Sequence, residues 1–218
     1  MKKRATNDLD KLEKKTAIQK AALEFIEEHR YEDITMNALA NKLNIAKGTL
    51  YLYFSTKESL FIDIYVQQVK NWCRYFKEGL ELHKHEITKE KLTQIIVDAI
   101  RSQQNFPKLL SILHSTLEHN ISLDQAISYK TEIKNEVQAC AMMLKEYCPF
   151  FSEEEAFAYL FQLNAVIIGL WQMGHPPAVI RQAYEREELK ALNINFYVEL
   201  ERVIHTYMTA FFERKLDA

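Results

Sequence analysis

Residues 44–54 read NIAKGTLYLYF, a composition that does not suit an ordinary short helix. Gly48 sits between Lys47 and Thr49, where a helix should start, although glycine is a poor helix former. Tyr51, Tyr53 and Phe54 then follow closely, although aromatics this dense are usually buried. Stepping about 100° per residue from Lys47 puts Leu50 and Phe54 near 300° and 340°, an inward pair. Gly48, Leu52, Thr49 and Tyr53 fall at roughly 100°, 140°, 200° and 240°, with Tyr51 on the remaining flank. Leu52 therefore faces outward, with a tyrosine on each side of it. A small helical bundle explains Leu50 and Phe54, but it leaves Leu52, Tyr51 and Tyr53 with nothing to cover them.

The flanking sequence is helical. Ile18, Ala21, Ala22, Phe25 and Ile26 are spaced i, i+3, i+4, i+7, i+8, which predicts an amphipathic helix over about 9–29. Thr35 is positioned to cap a second helix, on which Met36, Leu39, Ala40 and Leu43 repeat that spacing. Asn44-Ile45-Ala46 is a three-residue gap, and the next helix covers Lys47 to about Phe54. Ser55 with Glu58 fits a capping box for a helix over about 57–83, and Thr56 is an alternative cap.

Beyond it the pattern changes to longer helices. Thr88 can cap the next one, and Pro107 suits the first turn of a shorter helix reaching about Glu118. Further helices are expected over about 123–147, 153–173 and 194–215, with a short helical piece over 178–190. Only four glycines and four prolines occur in 218 residues, too few turn formers for a sheet protein, so the chain reads as all-α.

The net charge of −2 is unevenly distributed: residues 1–57 carry +3 and the rest −5. The basic part is the N-terminal quarter, which includes the two short helices, a modest electrostatic hint of a polyanion partner. No uninterrupted run of 18 apolar residues suggests a membrane span, and the basic start MKKR has no apolar stretch behind it, so no membrane partner is expected. Cys73, Cys140 and Cys148 lack CxxC spacing, which fits a reducing cytoplasm. HExxH, P-loop and GxSxG motifs are absent, and His83 and His85 are not on one helix face. No enzyme activity, cofactor or metal is expected.

Two short helices joined by a tight turn make a helix-turn-helix. In a DNA major groove the outer face acquires a use. Gly48 permits close approach, Thr49 offers a hydroxyl and a methyl, and Leu52 can meet a thymine methyl. Lys47 can reach a phosphate or a guanine edge. Tyr51, Tyr53 and Lys57 suit phosphates, which position the protein without reading sequence.

Residues 35–61, TMNALANKLNIAKGTLYLYFSTKESLF, closely resemble the DNA-binding signature of the tetracycline-repressor (TetR) family of bacterial regulators. The match runs through Thr35, Leu39-Ala40, Ile45, Lys47-Gly48-Thr49-Leu50-Tyr51, Tyr53-Phe54 and Lys57-Glu58. Ala46 departs from the common serine and removes one hydroxyl. The resemblance implies a homodimeric repressor that binds double-stranded DNA at a palindromic operator and is released by a small-molecule effector. The family's contacts fall on Thr35, Lys47, Gly48, Thr49, Tyr51, Tyr53 and Lys57. The implied organisation is a helix-turn-helix domain over 1–56 with a basic N-terminal arm, a connecting helix over 57–83, and a larger ligand-binding and dimerisation domain over 84–218.

In that larger domain, Trp72, Phe76, Phe106, Leu110, His114, Met142 and Trp171 are candidate pocket residues, and their character suits an apolar or aromatic ligand. The family's dimer bundle falls on about 153–173 and 194–215, with Phe161, Ile168, Tyr207 and Phe211 as interface candidates. The alternative reading is a helical ligand-binding or scaffold protein whose helix-turn-helix is only structural.

Overall fold

A computed structural model describes the backbone of residues 2–213 and the side chains of residues 10–213. Its α-helices are α1 (Lys2–Glu28), α2 (Met36–Lys42), α3 (Lys47–Tyr51), α4 (Lys57–His83), α5 (Lys89–Arg101), α6 (Phe106–Leu113), α7 (Leu123–Tyr147), α8 (Glu153–Gly174), α9 (Ala178–Ala183) and α10 (Phe196–Glu213). Short 3-10 turns cover Tyr31–Asp33, Leu117–Asn120 and Glu187–Leu192. No strand occurs among the described residues. The expected arm at MKKR differs in backbone, since α1 already begins at Lys2; its side chains lie outside the described residues. The expected helix over 178–190 is instead a short α-helix followed by a 3-10 turn.

The chain forms two compact units, Met1–Gln67 with Leu113–Tyr129, and Gln68–Ile112 with Lys130–Ala218. In the first, Ile18, Ile26, Leu39, Leu50, Phe61 and Ile64 are at most 2% exposed. Each such side chain contributes roughly 1.5–3 kcal/mol by leaving water. Lys15 and Gln19 of α1 both bond the Asp63 carboxylate of α4, at 2.9 and 2.7 Å. Lys42 of α2 pairs with Glu24 of α1 at 2.8 Å and lowers the pKa of that carboxyl.

In the second unit α10 packs on α5 and α8. The start of α8 is a capping box, with Glu155 N–H donating to Ser152 Oγ at 3.1 Å and Ser152 N–H to Glu155 Oε2 at 3.0 Å. Helix α4 approaches α5 closely at Gly79, where a Cβ would lie 2.8 Å from Ile95 Cγ2. Cys73, Cys140 and Cys148 are buried free thiols. The Cys140 contact, followed by burial, pushes the Cys73 thiol up, which disfavours its thiolate form.

Helix α8 holds no uninterrupted run of 18 apolar residues. Gln162, Asn164 and Gln172 interrupt its apolar run, yet α8 is long and apolar enough to cross a membrane. Of that apolar window 28% is fully buried in the chain, Phe157, Val166, Ile168, Leu170 and Trp171 are half-buried, and Phe161 and Met173 are exposed.

Candidate nucleic-acid interface

The helix-turn-helix is built from three local devices. Thr35 caps α2, its Oγ1 accepting from Ala38 N–H at 3.1 Å. Asn44, at φ 51°, then ends α2 in the left-handed region. Asn44 N–H donates to Asn41 O and Ile45 N–H to Ala40 O, both at 3.0 Å, which is a Schellman termination. Asparagine tolerates this conformation better than other residues with a side chain. Ala46 is extended and leads into α3 without a side-chain cap. The third device fixes α4: Ser59 N–H donates to Thr56 Oγ1 at 3.0 Å and Thr56 N–H to Ser59 Oγ at 3.1 Å. Thr56 is therefore the cap, and Ser55 is not.

Helix α3 ends at Tyr51, earlier than the expected Phe54, and the chain continues in a turn. Leu50 and Phe54 are 0% and 4% exposed, so they form the inward pair. Leu52 is 84% exposed and Tyr51 42%. Thr35, Lys47 and Gly48 are exposed too, while Thr49 and Tyr53 are half-buried. The Lys47 ammonium lies 5.7 Å from the Tyr51 ring centroid. A Cβ built on Gly48 meets nothing within 4 Å, and its φ is not positive. Neither packing nor backbone conformation within the chain demands glycine there.

Lys57, expected at a phosphate, also makes contacts within the chain. Its ammonium donates to Tyr31 O at 2.9 Å and sits 4.0 Å from the Tyr31 ring centroid. Partial burial lowers its pKa. The Tyr31 hydroxyl donates to Glu58 Oε1 at 3.0 Å, and burial, then Glu58, raise the tyrosine pKa. An ammonium has three protons, and the Tyr31 carbonyl takes one. Sequence reasoning missed Tyr31 and Asn44; asparagine just after an amphipathic helix was the one available signal.

The expected pocket residues separate. Trp72, Phe76 and Phe106 come together: Trp72 stacks on Phe76 at 5.3 Å and 5° and faces Phe106 at 6.5 Å and 19°. Leu110 is buried on α6 in the same unit. Trp171 instead stacks on His175 at 3.6 Å and meets Phe196 edge-on at 5.2 Å. Met142 is 57% exposed, which removes it from an interior wall. His114 belongs to the other unit, is exposed, and bonds Glu118 Oε2 at 2.8 Å. Of the interface candidates, Phe161 and Tyr207 are 67% and 39% exposed. Ile168 is half-buried, and Phe211 packs inside its own chain against Phe151 at 4.3 Å.

Residues 18–64 match the bacterial regulatory proteins of the tetR family, and residues 66–209 match the tetracyclin repressor-like C-terminal domain. The helix-turn-helix transcriptional regulator YhgD of Bacillus subtilis is 26% identical over 174 residues, 76% of this chain and 88% of that protein. A fatty acid metabolism regulator protein of the same organism is 30% identical over 76 residues, 35% of this chain and 38% of its own. The fold is shared with the transcriptional regulator FadR of Bacillus subtilis, solved in complex with stearoyl-CoA. The TM-score is 0.55 at 15% identity, covering 88% of this chain and 96% of that one. With both halves matched, and the second match alone spanning most of the sequence, the chain belongs to the TetR family of bacterial transcriptional regulators.

Proposed function

We propose that this regulator is a repressor, that it grips a two-fold symmetric operator as a homodimer in the cytoplasm, and that an acyl-chain effector releases it. The observation that carries the DNA reading is Leu52. It is a large apolar side chain, 84% exposed, on a surface that begins at an unforced glycine. Leu52 and Thr49 meet base edges, Gly48 allows the close approach, and Thr35, Lys47, Tyr51, Tyr53 and the remaining Lys57 protons hold phosphates. One such helix reads only a few base pairs. Two, spaced about 34–36 Å apart, read a symmetric site.

The exposed apolar side chains Phe161 and Met173 of α8 support the dimer, with Phe161 the most exposed of its interface candidates. Family membership speaks against a scaffold protein with a merely structural helix-turn-helix. The acyl effector is supported by the relative that regulates fatty acid metabolism, by the neighbour solved with stearoyl-CoA, and by the aromatic wall of Trp72, Phe76 and Phe106. The effector acts by population shift: it weakens DNA binding only as far as it binds the DNA-incompetent conformation more tightly.

Fluorescence anisotropy on a labelled symmetric duplex tests this reading. Stearoyl-CoA is expected to lower DNA affinity at least tenfold. Unchanged affinity at saturating stearoyl-CoA contradicts the effector, and tight binding by a proven monomer contradicts the dimer.

A further inference from the structure

The second unit contains a donor its own fold does not use. Trp72 is 5% exposed, and its Nε1–H is buried without an acceptor among the described residues. Leaving a buried donor unpaired costs about 1–3 kcal/mol, and a phenylalanine could stack there without that cost. The indole is also held in place, nearly coplanar with Phe76 and close to Phe106. The nearest buried amide in sequence, Gln103, is already engaged. Its Oε1 accepts from Asn71 at 3.2 Å, and its Nε2 donates to Ser102 O at 2.8 Å. Among the described residues the Tyr159 hydroxyl is likewise buried without a partner, but it differs in its surroundings. It borders a small cavity between α8 and α10, with Tyr207 and Gln162 at its wall. At about 10 Å³ that space is too small for an organic ligand.

Resting on the acyl-effector reading above, we infer that Trp72 is the polar reader of the effector site, donating its Nε1–H to the acyl carbonyl oxygen of the ligand. Phe76 and Phe106 flank the indole and supply the apolar wall for the adjoining methylenes. The acyl carbonyl is common to a thioester and a free fatty acid, so the contact selects for the carbonyl before it selects for the headgroup. A ligand carrying the same chain without that oxygen leaves the indole N–H unpaired and loses the discrimination that one buried hydrogen bond supplies.

Calorimetric titration with stearoyl-CoA, stearate and S-octadecyl-CoA, the thioether that lacks the carbonyl, tests the contact. Trp72→Phe keeps an aromatic ring and removes the donor. It is expected to weaken stearoyl-CoA about tenfold and leave S-octadecyl-CoA unchanged. The same loss with stearate alone upholds the contact and makes the free acid the source. Equal affinity of Trp72→Phe and the parent for the carbonyl ligands overturns the inference, as does an equal loss for the thioether, which would report ring size alone. If none of the three binds, the acyl-effector reading falls and takes this contact with it, while DNA binding is untouched.

A second measurement does not depend on the Trp72 variant folding. The chain has two tryptophans, so Trp171→Phe identifies the Trp72 indole N–H in a proton–nitrogen correlation spectrum. Stearoyl-CoA is expected to move that proton downfield and S-octadecyl-CoA to leave it in place. Identical shifts with both ligands overturn the contact.

Discussion

The Lys57 ammonium donates to the Tyr31 carbonyl at 2.9 Å and lies 4.0 Å from the centroid of the same residue's ring. One residue thus holds both the charge and the stem that carries it, beside the entrance of α4. Tyr31 also bonds the neighbouring Glu58 through its hydroxyl, so the first turn of α4 is tied at two points. Lys57→Met should keep most of the stem packing, weaken DNA binding on all sequences alike, and reduce the slope of log affinity against log salt by about 1. Tyr31→Phe keeps the carbonyl and the ring, so it should lower stability by about 1 kcal/mol and leave the salt slope intact. Anisotropy across a salt series, with urea unfolding of both variants, separates the two effects.

Gly48 predicts opposite signs for folding and binding. A Cβ there meets nothing in the chain, and alanine is the better helix former by about 0.8–1.0 kcal/mol. Gly48→Ala should therefore unfold at equal or higher denaturant concentration, yet bind operator DNA at least tenfold more weakly. Loss of stability in urea unfolding contradicts the packing statement, and unchanged DNA affinity contradicts the close approach.

Much of this site was legible because helix period and burial go together. The angles that put Leu50 and Phe54 inside and Leu52 outside needed only the sequence, and their exposures follow that division. The caps at Thr35 and Ser152 were legible for the same reason, since a short polar side chain before an apolar run satisfies local backbone donors. What stayed hidden depends on partners distant in sequence. Tyr31 and Lys57 are 26 residues apart, and no periodicity links them. Met142 and Trp72 looked equivalent as apolar residues on long helices; which side of each helix a neighbour covers decides that one is 57% exposed and the other 5%. The end of α3 at Tyr51 was missed because Tyr53 and Phe54 continue the apolar pattern through a turn.

Asn44 carries the turn between α2 and α3 at φ 51°. Glycine adopts that conformation freely, whereas alanine pays about 1–2 kcal/mol. Asn44→Gly should keep stability within about 0.5 kcal/mol, and Asn44→Ala should lose about 1 kcal/mol, both read from chemical unfolding. Equal stability of the two variants would mean that the left-handed turn is not required.

The dimer proposal turns on Phe161, 67% exposed on a helix whose apolar window is 28% buried. Phe161→Glu should convert a particle of about twice 25.7 kDa into one of 25.7 kDa by light scattering, with little change in helical circular dichroism. A dimer that persists in this variant at micromolar concentration would move the interface away from Phe161.

The central claim is that the face of Gly48, Thr49 and Leu52 reads DNA. Its most direct test is selection of binding sites from fragmented genomic DNA of the source organism, by purified protein at low salt, in parallel for the parent and Leu52→Ala. The account predicts that the parent enriches a two-fold symmetric site with half-sites about one helical turn apart, and that Leu52→Ala, folded as stably, loses the preference at the base pair its leucine meets. No enriched sequence for the parent, or an identical motif for both proteins, contradicts it.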